Sequence, residues 1–353
     1  MFIRKLQIDN LRNLQQVSID PDPGLNVFYG GNGAGKTSIL EALVVLSRGR
    51  SFRTNQASEL FGSEGKNFTV FAETQSEEGK TLRLGLERSG RHWRARKDGA
   101  ELKQLSQLTR VMPLVLMEPN SYLLVSGAPE VRRKYLDWGM FHVEQGFLGI
   151  YRKYSRILKQ RNAALRLKKL DVIESIDDVF SGLGVQLTDA RRTHAAALAA
   201  RLGGLLAHLS PGLGGLAISY EQGWGGGTLK ESLQAGLETD LKHGATGSGP
   251  HRADIAFVLD GAAARAVVSR GEQKLLAAAL ILSQAEILQA GGSDPIILLD
   301  DLASEFDKNH FQKVIGRTLE MGGQVWVTGT QTFEQPEAGA LFHVERGKVQ
   351  KMV

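Results

Sequence analysis

Gly30-Gly31-Asn32-Gly33-Ala34-Gly35-Lys36-Thr37 has the residue types and spacing that hold a triphosphate. The stretch satisfies G-x-x-x-x-G-K-[ST], and GLNVFYG before it and TSILEALVVLS after it read as a strand and a helix, the context that pattern requires. There the loop amides and the helix N-terminus cradle phosphate oxygens, Lys36 reaches the β and γ oxygens, and Thr37 offers a hydroxyl to Mg²⁺. A second pair of chemical residues closes the run PIILLDD. Asp300 and Asp301 end a buried apolar strand, where an uncompensated carboxylate is costly. A metal ion offsets that cost, so Asp300 is expected to hold Mg²⁺ and Asp301 to orient or activate an attacking water. Two acids capping the LASEFD helix is the structural alternative.

More than two hundred residues after the loop, SRGEQKLLAAAL (Ser269 to Leu280) runs from a small polar turn into an apolar helix, as an anion-holding helix start does. Ser269 and Glu272 also spell a capping box, a purely structural device. From Gln145 to Leu170 there are eight Lys and Arg and no Asp or Glu. Arg152, Lys153, Arg156 and Lys159 in that run are candidates for phosphate contacts along duplex DNA; a solvated helix face is the alternative. Few aromatic residues interleave the charges, which favours backbone contact over base stacking.

The elements that must position these groups follow from periodicity. FIRKLQIDNLRNLQQVSID alternates apolar and polar residues, and NFTVFAETQ, TLRLGLER and HWRARKDG are strand-length runs parted by turns, an antiparallel meander. VMPLVLM reads as a buried strand. From about Pro129 to Pro211 the pattern becomes helical, and after GWGGG strands resume with ADIAFVLDG, PIILLDD, QVWVTGT and LFHVERGKV. The expected division is a first part of a P-loop head (1–128), an inserted helical lobe (129–240) and a second part of the head (241–353). The class is α/β. Its 353 residues contain no cysteine, and Lys plus Arg number 43 against 38 acids, a net charge of +5 that permits a polyanionic partner without demanding one. The N-terminus has no signal-peptide core and no stretch has the apolar length of a membrane span, so a soluble, cytoplasmic protein without a membrane partner is expected.

The order of P-loop, Ser-x-Gly-Glu turn, acidic strand and SEFD resembles that of ATP-binding-cassette ATPases. Within them, LQIDNLRNLQQ, GRSFRT (Gly49–Thr54), RRKYLDW (Arg132–Trp138), LKQRNAAL (Leu158–Leu165) and GPHRAD (Gly249–Asp254) resemble the SMC-like DNA repair proteins of the RecF family. The resemblance covers nearly the whole chain. It implies an ABC-type ATPase head and an ATP that touches Arg12, the loop from Gly30 through Gly35, Lys36, Thr37 and Ser38. It also implies that Ser269, Gly271 and Gln273 of a second copy complete that site, with Lys36, Asp301 and Ser269 as the catalytic groups. An ATP-dependent homodimer on duplex DNA or at single-strand to double-strand junctions is implied in turn. A weak DNA-stimulated ATPase and RecR- and RecO-type mediators are implied with it, in replication, recombinational repair and the SOS response. The chain departs from family patterns in three places. Ala253 replaces an acid, Glu118 stands where transporter cassettes use Gln, and Thr328 stands where they use His; the last two predict slow hydrolysis. A transporter ATPase subunit and a P-loop kinase for a small metabolite are the competing readings. The former lacks support from the His position and the basic insertion, and the latter does not need the signature turn.

Overall fold

Alternation in the opening residues produces a hairpin, β1 (Phe2–Leu11) and β2 (Leu14–Ile19), whose inward side chains Ile3, Leu6, Ile8 and Leu11 are fully buried. The computed structural model describes residues 1–63, 65–76, 78–332 and 339–352. β3 (Leu25–Tyr29) leads through the glycine-rich loop into the helix Lys36–Arg48. Then come β4 (Asn67–Gln75), β5 (Thr81–Ser89), β6 (His92–Lys97), the two-residue β7 (Ala100–Glu101) and β8 (Leu114–Met117). The chain divides into two compact units: residues 1–121 with 284–353, and residues 122–283.

The second unit begins with the short helix Leu123–Ser126 and continues through the helices Pro129–Val143, Phe147–Arg166 and Leu170–Leu209. It also owns a sheet. β9 (Ala217–Glu221) pairs antiparallel with β10 (Asp254–Leu259), which pairs with β11 (Ala262–Ala263). The boundary expected at 240 therefore falls between two strands that pair with each other, and residues 241–283 group with the helices. The reason is register: Ile255 faces Tyr220 and Phe257 faces Ile218, a match that no local pattern announces.

The helix Arg270–Ala290 returns the chain to the first unit, where β12 (Ile296–Leu299), β13 (Val325–Gly329), β14 (Ala340–Glu345) and β15 (Lys348–Met352) complete the strands. Among the described residues the first unit has two six-stranded sheets, one ordered β2-β1-β4-β5-β6-β7 and antiparallel as the meander predicts. The other is ordered β15-β14-β3-β13-β12-β8, parallel except for the edge strand β15. Parallel strands covered on both faces need continuous apolar runs, and every residue of Ile296–Leu299 and Val325–Gly329 is buried. Phe28 stacks on Trp326 and Phe342 with ring centroids 5.2 and 4.7 Å apart, knitting the three central strands together. Loops at the carboxyl ends of such strands are where ligands bind. The glycine loop and the acid pair both lie there.

Candidate nucleotide-binding site

The loop is glycine for stated reasons. At Gly30 (φ +153°) a side chain would run into the Val344 carbonyl oxygen, and Gly35 precedes the helix at φ 118°, a conformation that L side chains avoid. At Gly31 and Gly33 a Cβ would meet nothing within 4 Å, so that side of the loop is open. Asn13 pins the loop by donating from Nδ2 to the Gly33 carbonyl at 3.1 Å. Among the described residues no side chain caps the helix Lys36–Arg48 and its first turn carries no acid, which leaves its amides for an anion. Lys36 Nζ donates to the Gly30 and Gly31 carbonyls at 2.7 and 2.9 Å, and its third proton remains for a phosphate oxygen. Burial lowers the Lys36 pKa, against the pull of Asp301 and Asp300.

Asp300 joins the loop to the acidic strand. Its Oδ1 accepts from Thr37 Oγ1 at 2.9 Å and from Thr328 Oγ1 at 2.7 Å, and its amide donates to the Met117 carbonyl at 2.8 Å. Burial raises the Asp300 pKa, the threonine hydrogen bonds oppose this, and the Asp301 charge adds to it. Thr328 also accepts from the Asp301 amide at 2.9 Å. Its one proton is engaged by Asp300, so Thr328 ties the two acids together. Asp301 adopts the left-handed region (φ 50°), strained for a non-glycine residue, and Ser304 Oγ donates to its Oδ2 at 2.9 Å. Its buried Oδ1 has no hydrogen-bond partner among the described residues. Glu118 is pushed up to about 7, first by burial and then by Asp300, while Arg48 and Arg53 pull it down. A cation here would relieve both carboxyl groups.

A buried acid outside the motifs organises the rim of the loop. Glu41, fully buried in the helix Lys36–Arg48, accepts Arg12 Nε at 3.0 Å and Arg12 Nη2 at 2.9 Å, holds Arg53 Nη1 at 3.5 Å and accepts the Ser51 hydroxyl. The hydrogen bond to Glu41 raises the Arg12 pKa. One carboxylate thus sets two guanidinium groups beside the loop. Arg12, Asn13, Asn32, Lys36, Arg53 and Asp301 are among the residues lining a cleft of about 500 Å³, wide enough for a nucleotide. Ala34 and Ser38 line it as well. Arg53 and Phe61 were missed in the sequence because neither belongs to a motif with a phosphate role; GRSFRT was the available signal for the former.

In the second unit, Ser269 and Glu272 form the capping box. Glu272 N donates to Ser269 Oγ at 3.2 Å and Ser269 N donates to Glu272 Oε2 at 2.8 Å. The cap uses the hydroxyl only as an acceptor, and Ser269 and Gly271 are exposed, so its proton can still serve an anion. Gln273 Nε2 donates back to the Val268 carbonyl at 3.3 Å. Arg152, Lys153, Arg156 and Lys159 are all exposed on the helix Phe147–Arg166. Arg161, counted in the same basic run, does not belong to that surface: it is 0% exposed and bonds Asp177 at 2.8 Å and Asp240 at 2.7 Å. Ala253 is buried, and its carbonyl accepts from Arg133.

The donor set of the first unit fits Mg²⁺ with a nucleoside triphosphate. Thr37 Oγ1 and Asp300 Oδ1, already adjacent, would hold the cation, with phosphate oxygens and water completing its shell. The unpartnered Asp301 Oδ1 would be free to accept from a water.

Residues 2–350 match the family described as RecF/RecN/SMC N terminal domain. The DNA replication and repair protein RecF of Stenotrophomonas maltophilia (strain R551-3) is 39% identical over 360 residues, covering 99% of each chain. Its counterpart in Thioalkalivibrio sulfidiphilus (strain HL-EbGR7) is 38% identical over 355 residues, covering 98% of each. A solved structure of the recombination mediator protein RecF with ATP in the RecFOR pathway matches with a TM-score of 0.89 at 28% identity, covering 100% of this chain and 98% of that one. The Smc head bound to the C-winged helix domain of ScpA, 15% identical over 100% of this chain and 98% of that one, shares the fold with a TM-score of 0.61. Likeness of this extent, in a chain whose glycine loop and acid pair close on one cleft, leaves one assignment: the chain belongs to the RecF family of SMC-like, ABC-type ATPases.

Proposed function

We propose that this chain is an ATP-switched DNA-binding protein of DNA replication and recombinational repair. Two copies close on duplex DNA or a single-strand to double-strand junction around shared ATP, and slow, DNA-stimulated hydrolysis releases them. RecR- and RecO-type mediators are the partners that the RecFOR pathway of the matched structure suggests. The observation that carries the reading is the Thr37–Asp300–Thr328 hydroxyl bridge, which joins P-loop to acid pair in a chain 39% identical to a DNA replication and repair protein.

The residues divide the work. Lys36 and the loop amides hold the β and γ phosphates, and Arg12, fixed by Glu41, flanks the cleft. Bound Mg²⁺ supplies positive charge at the phosphate oxygens as the bond to the leaving group breaks. Asp301 takes the proton of the attacking water, while Ser269 and Gly271 of the second copy face the γ-phosphate. ADP lacks that phosphate. The dimer therefore opens after hydrolysis. Hydrolysis is slow because the Thr328 proton is engaged by Asp300, so no His-like donor reaches the transition state from β13.

Sedimentation tests the switch: ATP with Mg²⁺ converts monomer to dimer, ADP does not, and duplex DNA strengthens the ATP dimer. A chain that stays monomeric with ATP and DNA contradicts it.

The basic helix makes a separate prediction. Replacing Arg152, Lys153, Arg156 and Lys159 together with Gln lowers duplex affinity and flattens its salt dependence, the slope falling by roughly one unit for each phosphate no longer neutralised. Basal ATP hydrolysis is unchanged. An unmoved slope puts the DNA surface on the other unit.

A further inference from the structure

RRKYLDW and GPHRAD carry much of the family likeness, yet the nucleotide chemistry uses none of their side chains. In the second unit they meet. Arg132, 4% exposed, forks onto Asp254, with Nε donating to Oδ1 at 2.6 Å and Nη2 to Oδ2 at 2.9 Å. Its Nη1 donates to the Gly127 carbonyl at 2.8 Å, just past the short helix Leu123–Ser126. Arg133 Nη1 donates to the Ala253 carbonyl at 2.7 Å. One helical turn on, the Tyr135 hydroxyl donates to the Leu280 carbonyl.

Asp254 opens β10 and Leu280 lies within the helix Arg270–Ala290, so the segment carrying Ser269 is fastened at both ends by one helix, Pro129–Val143. Between the fastenings the path is short. β10 turns through Asp260 (φ 50°) and Gly261 (φ 82°) into β11, pairing Val258 with Ala263 and Leu259 with Ala262. One helical turn, Ala264–Val267, rests on β10 and on Leu123–Ser126 and delivers the chain to Ser269. A shift of Asp254 has no loop in which to dissipate. Forked arginine–carboxylate pairs fix geometry, whereas a buried ion pair by itself argues little for stability.

We infer that Arg132, Asp254 and Tyr135 are positioning residues for the signature turn, setting where Ser269 and Gly271 stand toward the ATP held by a second copy. The inference rests on the two-copy reading above. A catalytic group displaced by ~1 Å costs about a hundredfold in rate, so Asp254→Asn and Arg132→Lys, which keeps the charge but loses the fork, each lower DNA-stimulated hydrolysis about ten- to a hundredfold. Each chain's own P-loop still binds ATP normally.

Mixing full-length chains separates positioning from general damage. With Lys36→Ala chains, Asp254→Asn chains regain activity to the level of a reference mixture of Lys36→Ala with Ser269→Arg, because one site pairs an intact loop with an intact turn. With Ser269→Arg chains they regain none, since every turn is then damaged. Recovery with Ser269→Arg, or with neither partner, overturns the inference. A reference mixture that fails to recover removes the two-copy reading itself, and the inference with it. Should Asp254→Asn not fold, Tyr135→Phe, which removes one hydroxyl, must show the same pattern in a milder form; wild-type activity there overturns the inference.

Discussion

Lys36→Ala abolishes ATP-dependent dimerisation and stable duplex binding, and ATP hydrolysis falls by about two to three orders of magnitude, the usual loss when one transition-state donor is removed. The ammonium is the cation nearest the loop carbonyls of Gly30 and Gly31, and among the described residues no other lysine lines the cleft. Alanine leaves the loop amides and Thr37 in place, so nucleotide binding weakens while the fold survives. Water can replace the lost donor at the exposed Gly31, whereas the buried Gly30 carbonyl loses a partner, a cost of about 1–3 kcal/mol. Equilibrium binding of labelled ATP and sedimentation read the two effects separately. Unchanged nucleotide affinity contradicts the assignment of the loop.

Asp301→Asn acts in the opposite sense and traps the ATP-bound dimer. Asparagine tolerates the left-handed backbone at φ 50° and can keep the hydrogen bond from Ser304, so the local structure is retained. Thr37 and Asp300 still hold the cation. An amide cannot accept the water's proton, and loss of general-base catalysis lowers hydrolysis about a hundred- to ten-thousandfold. Stopped-flow release of DNA after ATP is removed should slow in proportion. A variant that hydrolyses normally shows that the base lies elsewhere, with Glu118 the next acid to test.

The chemistry of the first unit was largely legible because it is local. A loop of fixed length and two acids ending an apolar strand are both read from contiguous residues, and both fall at the carboxyl ends of parallel strands. What was illegible depends on partners far away in sequence. Glu41 sits in the apolar stretch ILEALVV, and only the tertiary fold brings Arg12 and Arg53 to it. Nothing in QVWVTGT announces that the Thr328 hydroxyl lies between Asp300 and the Asp301 amide. Arg161 had the composition of a DNA-binding face and the position of a buried ion pair, a distinction that helical phase alone leaves open. The grouping of residues 241–283 with the helices was illegible for the same reason, since strand pairing between β9 and β10 is non-local.

The most direct test of the central claim, that two copies share each ATP, is the recovery of hydrolysis when Lys36→Ala chains are mixed with Ser269→Arg chains. If Ser269 serves its own chain, every site in every dimer carries a lesion and nothing returns. If it serves the partner, a mixed dimer has one doubly damaged site and one intact site. Lys36→Ala chains do not close on one another, so with equal amounts and independent sites recovery lies between roughly a quarter of wild type, if chains pair at random, and roughly a half, if only mixed dimers close, because each mixed dimer has one working site of two. Coupling between sites lowers that figure, so DNA-stimulated hydrolysis and ATP-dependent dimerisation are scored separately. Sharing of ATP between copies predicts that hydrolysis rises well above either variant alone; hydrolysis that stays at the level of the single variants, in mixtures where sedimentation shows mixed dimers, contradicts it.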